Sequence, residues 1–425
     1  MKRWITKENL ENSPSITEAE ARAARKFCVQ RTQENLSTFT TAFPGAASKD
    51  LYYQPGPNLG WTTGFWTGLV WLSYEAQEDP SKKAALLHAG KTQAADFLRR
   101  IENKEDVDHH DMGFLYTPSC VAAWRLLSDD DAKRAAILAA DQLLARYQPV
   151  GKFLQAWGKM GAPENYRFIV DCLLNVPLLF WASSVTEDPK YREVALSHIH
   201  TALANVIRED GSTWHTVFMN PQTGLFDHGA TCQGYRDGSA WARGQAWAVY
   251  GTALAFRETK EEAYLAAFRK VTSYFLSHLP KDLIPYWDLS FGDGDGYALD
   301  PSIHGEAPFT ESAGTNENGG IFQPRDASSA AIAVCGMLEM SRYLAQDEAA
   351  SLVLTAKRLL KACTDTCLAR PDTPTNGLLL HSTYSHRSPF NTCTPEGTEE
   401  CVIWGDYFLL EALTRVTNPD WCVYW

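Results

Sequence analysis

Ser239-Ala240-Trp241-Ala242-Arg243-Gly244-Gln245-Ala246-Trp247-Ala248-Val249-Tyr250-Gly251 is small, aromatic or apolar at almost every position. Arg243 is its one cation. A helix built from such residues (239–257 when extended to its C-terminal side) has little charge on any face. It has to be covered on both sides. Five more segments read the same way: 61–75, 113–127, 167–183, 326–344 and 402–416. Six others, 16–39, 80–102, 129–147, 189–208, 260–279 and 346–369, mix Lys, Arg, Asp and Glu with Ala and Leu at helical spacing. Asp79-Pro80 and Asp188-Pro189 open two of these with a capping Asp and a Pro at the first helical position.

Charged and apolar helices alternate six times. Six hairpins with charged outer and apolar inner members predict an all-α fold, an (α/α)6 barrel, as one domain over 1–425. An open stack of helix pairs is the alternative. The uneven repeat, roughly 50 to 90 residues, excludes a short-repeat solenoid. Residues 280–325, rich in Gly, Pro and Asp, read as a loop on the cleft side.

The 425 residues carry a formal charge of -12, with 21% charged and 45% hydrophobic residues. That balance suits a soluble globular chain and disfavours binding a nucleic-acid backbone. Met1 to Lys7 is charged with no apolar run behind it, and no stretch reaches membrane-spanning length. Ten Cys are scattered without zinc spacing, and Cys28, Cys120, Cys172 and Cys335 sit in apolar helical contexts. A reduced, cytoplasmic protein is the expectation. The 14 Trp fit a large core, a cleft with aromatic walls, or both.

Carboxylates in apolar segments attract notice because burying a charge is costly. Asp171 lies in Phe168-Ile169-Val170-Asp171-Cys172-Leu173-Leu174-Asn175. It is either a capping or paired Asp or an acid whose pKa burial raises. Asp111, in His109-His110-Asp111-Met112-Gly113-Phe114, is an N-cap or a functional carboxylate. Adjacent His109, His110 and Asp111 chelate one ion poorly, and no metal or other cofactor is expected. Arg243 either pairs with a protein carboxylate, for which Asp406 and Asp111 are candidates, or awaits a ligand anion. Hydrolase-elbow, P-loop and dinucleotide patterns are absent, and Asp293 and Asp295 lack EF-hand spacing.

Taken together, Gly60-Trp61-Thr62-Thr63-Gly64-Phe65-Trp66-Thr67-Gly68, His110 to Phe114, Asp171 to Trp181, Ser239 to Trp247 and Trp404-Gly405-Asp406-Tyr407 give the chain a family likeness. It resembles the unsaturated glucuronyl hydrolases, glycoside hydrolase family 88. The resemblance implies the (α/α)6 barrel and a substrate: a lyase-made oligosaccharide, sulfated or not, ending in a 4,5-unsaturated uronic acid. It implies hydration of the C4=C5 enol ether, with Asp171 as general acid/base and Asp111 as the second essential Asp. It places substrate contacts at His215, Gln233, Trp241 and Arg243, and an aromatic contact at Trp66 or Trp61. Ser382, Ser385 and Arg387 stand where some members contact a sulfate, with Arg in place of their Lys. Alternatives are the related unsaturated rhamnogalacturonyl hydrolases acting on pectin fragments, a barrel sugar epimerase, for which no inner-helix His is evident, and a non-catalytic carbohydrate-binding barrel.

Overall fold

A computed structural model describes residues 8–291 and 323–425. The charged N-terminal residues, the Asp293/Asp295 segment and most of the expected 280–325 loop lie outside the described residues.

Twelve barrel helices follow in chain order. They are α1 (Glu18–Phe39), α2 (Thr63–Ala76), α3 (Pro80–Glu102), α4 (Met112–Tyr116 continued by Ala122–Leu127), α5 (Asp130–Leu144), α6 (Cys172–Asn175 and Pro177–Thr186), α7 (Pro189–Val206), α8 (Ala242–Thr259), α9 (Glu262–Ser277), α10 (Ala327–Ser341), α11 (Gln346–Thr366) and α12 (Ile403–Thr417). Even-numbered helices pack side by side, α2 on α4, α4 on α6, α6 on α8, α8 on α10, α10 on α12, and α12 returns to α2. That closure makes the ring a barrel and excludes the open stack. Every residue of α8 from Ala242 to Phe256 is buried, whereas α3 buries one face only. The capping Asp residues work as expected: Asp79 accepts from the Ser81 and Lys82 amides, and Asp188 from Lys190.

Two inner segments differ from expectation. The 113–127 helix contains a π turn, Thr117–Val121, around Pro118, which has no N–H to give to the helical ladder. The 167–183 segment becomes helical only at Cys172, and Pro177 splits it again. Its first residues form strand β1 (Arg167–Ile169), which pairs antiparallel with β2 (Thr216–Met219), itself paired with β3 (Phe226–Ala230). Arg167, Phe218 and His228 stand in register across this sheet, as do Ile169, Thr216 and Ala230.

Trp content has both of its proposed explanations. Trp71, Trp247, Trp404 and Trp425 are buried in the core, and Trp61, Trp157 and Trp241 line a cleft. Cys28, Cys120, Cys172 and Cys335 are buried free thiols. No described helix is long and apolar enough to cross a membrane.

Candidate active site

The cleft, about 870 Å3, opens over the starts of α4, α6 and α8. The three-stranded sheet forms one wall, and residues around 231–237 and 384–396 form another. On the sheet, Arg167, Ile169, Thr216, Phe218, His228 and Ala230 all face the cleft, as the two-residue period of a strand requires.

Asp111 and Asp171 occupy the position just before α4 and α6, and neither side chain caps its helix. Gly113 brings the two helix starts together. A Cβ there would lie 2.3 Å from the Asn175 Cα, so only glycine allows this approach. Asn175 then ties the segments. Its Oδ1 accepts from the Phe114 amide at 2.8 Å, and its Nδ2 donates to Asp111 Oδ1 at 3.4 Å and to the Asp171 carbonyl at 3.2 Å. Asp111 also lies 3.2 Å from His109 Nδ1 and 3.3 Å from His110 Nε2. His109 stacks on Trp157 at 4.6 Å.

The two carboxyls sit in opposed electrostatic settings. Burial raises the Asp171 pKa to about 8, and the neighbouring Asp111 charge adds to the rise. One Asp171 oxygen is buried with no hydrogen-bond partner. For Asp111, burial is outweighed by His110, His109 and the Asn175 amide, which hold it below the usual carboxylate range. Burial lowers His110 to about 4, so its imidazole is neutral at pH 7. The arrangement is an ionised carboxylate beside a protonated one, the pattern that separates acid from charge stabiliser.

His215 is a neutral donor. Its Nδ1 lies 3.0 Å from the Cys232 amide and 3.3 Å from the Gln233 amide, which both donate to it. The proton therefore sits on Nε2. Burial, with help from Arg243, lowers its pKa to about 3. Its ring lies 4.3 Å from that of Trp241. Gln233 donates to the Tyr384 carbonyl at 3.3 Å.

Arg243 is sandwiched between Trp241 and Trp404, 4.4 and 4.7 Å from their ring centroids. It donates to the Thr383 and Tyr384 carbonyls at 2.7 and 2.8 Å and lies 3.6 Å from Asp326. Its protein carboxylate is thus Asp326, neither Asp111 nor Asp406. Asp406 instead accepts from the Leu378 and Leu379 amides and the Tyr53 hydroxyl.

Asp111, Asp171, His215, Gln233, Trp241, Arg243 and Ser385 all line the cleft. Trp66 does not. It is buried on α2, its indole donating to the Phe39 carbonyl at 2.9 Å, and Trp61, ahead of the helix, is the cleft residue. Ser382 is buried away from the cleft, and Arg387 is exposed and donates to the Cys393 carbonyl. The sequence reading did not single out Asn175, Trp157, Tyr384 or Arg167. Period-two spacing of Arg167, Ile169 and Asp171 was the signal available for Arg167.

His110, Asp111 and Asp171 bring one nitrogen and two oxygens within 4.8 Å of one another, the one such metal-ligating trio among the described residues. An ion bound there would have to displace the proton that burial and Asp111 hold on Asp171.

The model of Glycosyl Hydrolase Family 88 matches residues 34–294. An unsaturated chondroitin disaccharide hydrolase of Streptococcus pyogenes serotype M1 is 41% identical over 425 residues, covering 99% of this chain and 96% of that protein. The crystal structure of an unsaturated glucuronyl hydrolase from Streptococcus agalactiae superposes with a TM-score of 0.86 at 39% identity, covering all of both chains. An Asp-to-Asn variant of that enzyme, complexed with dGlcA-GalNAc6S, has a TM-score of 0.79 at 36% identity, again over both whole chains. With a family match across more than half its length and full-length relatives at about this identity, the chain belongs to glycosyl hydrolase family 88 and is a glycosidase of the unsaturated glucuronyl hydrolase kind.

Proposed function

We propose that the chain, acting as one catalytic domain in the cytoplasm, removes the terminal 4,5-unsaturated uronic acid from lyase-made oligosaccharides of the chondroitin type. Asp171 is the general acid/base. The carrying observation is its uncapped, partnerless carboxyl oxygen beside the ionised Asp111.

The neutral Asp171 gives its proton to C4, and the C=C electrons form the new C–H bond. The positive charge left at C5 is shared with the ring oxygen. Water adds at C5 and loses its proton to the Asp171 carboxylate, which restores the acid. The hemiketal opens as its C5–O bond breaks, and C1 then releases the leaving sugar as an alcohol. No carboxylate attacks C1, so the distance rule for retaining and inverting pairs does not apply. Asp111 keeps its neighbour protonated. The His215 Nε2–H and Gln233 orient substrate and water, and the rings of Trp61, Trp157 and Trp241 offer apolar faces to the sugars.

The chemistry consumes the conjugated alkene, so turnover is read as lost ultraviolet absorbance. Asp171→Asn should cut that rate by about 10^3-fold or more while the fold is retained. Near wild-type turnover in the variant would remove Asp171 from the mechanism.

A further inference from the structure

Arg167 is a cleft cation that the mechanism does not use. Its side chain lies over the Phe218 ring, 5.5 Å from the centroid, and His228 stacks on the same ring at 4.5 Å. Nη1 donates to the Glu164 carbonyl at 2.9 Å. That bond and the aromatic platform hold the guanidinium in place and leave donors free. Unlike Arg243, it has no carboxylate in ion-pair contact among the described residues. Its free donors face the cleft, where an anion would accept charge-assisted hydrogen bonds from them.

Its position limits which anion. Arg167, Ile169 and Asp171 all line the cleft along one stretch of chain. Four residues at about 3.3 Å each put the backbones of Arg167 and Asp171 no more than about 13 Å apart. The charge of Arg167 reaches buried His110, which touches Asp111. The substrate's own carboxylate is bonded to C5, the carbon attacked beside Asp171. Arg167 stands four residues further along the same wall, so the anion it takes is one carried beyond C5.

We propose that Arg167, seated on Phe218, is an anion subsite for the leaving side of the substrate, taking a sulfate ester on the sugar next to the unsaturated residue or the carboxylate of a further uronic acid. The subsite rests on the hydrolase reading above. It also differs from the trio Ser382, Ser385 and Arg387, of which only Ser385 lines the cleft.

The test compares kcat/KM of wild type, Arg167→Gln and Arg167→Lys on three substrates. These are an unsulfated unsaturated disaccharide, the same disaccharide sulfated on its leaving sugar, and an unsulfated tetrasaccharide with a second uronate. Arg167→Gln should lower the preference for a substrate with the additional sulfate or carboxylate over the unsulfated disaccharide by about tenfold or more, mainly through KM. Arg167→Lys should keep most of that preference. Loss on the sulfated disaccharide identifies sulfate as the ligand, and loss on the tetrasaccharide identifies the carboxylate. Equal slowing on all three substrates, the mark of a merely structural wall residue, overturns the subsite, as do unchanged ratios. A wild-type enzyme that consumes none of the three overturns the hydrolase reading itself, and the subsite with it.

Discussion

Six aspartates stand immediately before barrel helices, three in the outer ring and three in the inner ring. Asp79, Asp129 and Asp188, on the outer ring, each accept hydrogen bonds from the first amides of their helix. Asp111, Asp171 and Asp326, on the inner ring, make no such cap. The outer three are ordinary helix starts. Each of the inner three instead joins a buried polar group. Asp326 faces Arg243, Asp111 faces two histidines and Asn175, and Asp171 faces Asp111. The same residue type at the same helical position therefore caps a helix in the outer ring and enters a buried polar cluster in the inner ring. A raised pKa alone does not mark the difference. Burial lifts Asp406 to about 7, yet two backbone amides and Tyr53 satisfy its carboxylate and it lines no part of the cleft.

The contrast is tested most severely at Asp111. Asp111→Asn removes the charge that helps keep Asp171 protonated, so activity should fall about 10^2-fold or more. The residual activity should also lose its alkaline side at lower pH than wild type, whose limb is expected near 8 from the raised Asp171 pKa. The limb should still stand above an ordinary carboxylate, because burial is the larger cause of the rise. A pH profile of kcat/KM measures this, and an unmoved limb would show that the two carboxyls are not coupled.

Asn175 sharpens the comparison with a smaller effect. Asn175→Asp keeps an oxygen for the Phe114 amide but replaces the donor to Asp111 with a second anion. Turnover should drop about 10-fold. The alkaline limb should move upward, the opposite direction to Asp111→Asn. A purely structural role would lower the melting temperature and leave the limb in place.

These particulars show what a sequence can display. Six hairpins were legible because charge marks the outer helices and its absence marks the inner ones, and because Asp-Pro punctuates two starts. Arg167–Ile169 was not, since three residues of apolar alternation at the head of a helical run cannot separate strand from helix. Trp61 and Trp66 are five residues apart. Only the observed start of α2 at Thr63 shows that the first faces the cleft and the second the core. Ser382, Ser385 and Arg387 match a motif, but a motif does not say which side chains a loop turns inward. Asn175 acts through a close helix approach at Gly113 between residues 62 positions apart, a tertiary fact with no local signature.

The smallest effects are on stability, and there the two rings should respond with opposite sign. Asp171 has its pKa raised from 3.8 to about 8 on folding, so its contribution is fully present below the unfolded value and is lost as pH rises through this window. At neutral pH the buried carboxyl is a net cost. Asp171→Asn should raise the melting temperature by about 2–5 °C, and by more at pH 8 than at pH 5. Asp188 behaves conversely. The Lys190 amide and side chain lower its pKa, so its stabilisation is present above the unfolded value and is lost as pH falls through the folded one. Asp188→Ala should therefore lower the melting temperature by about 1–2 °C at neutral pH, less in acid, with turnover unchanged. Calorimetry of both variants across pH decides the matter. If both substitutions destabilise in parallel, the inner-ring aspartates are caps after all, and their separation from the outer three collapses.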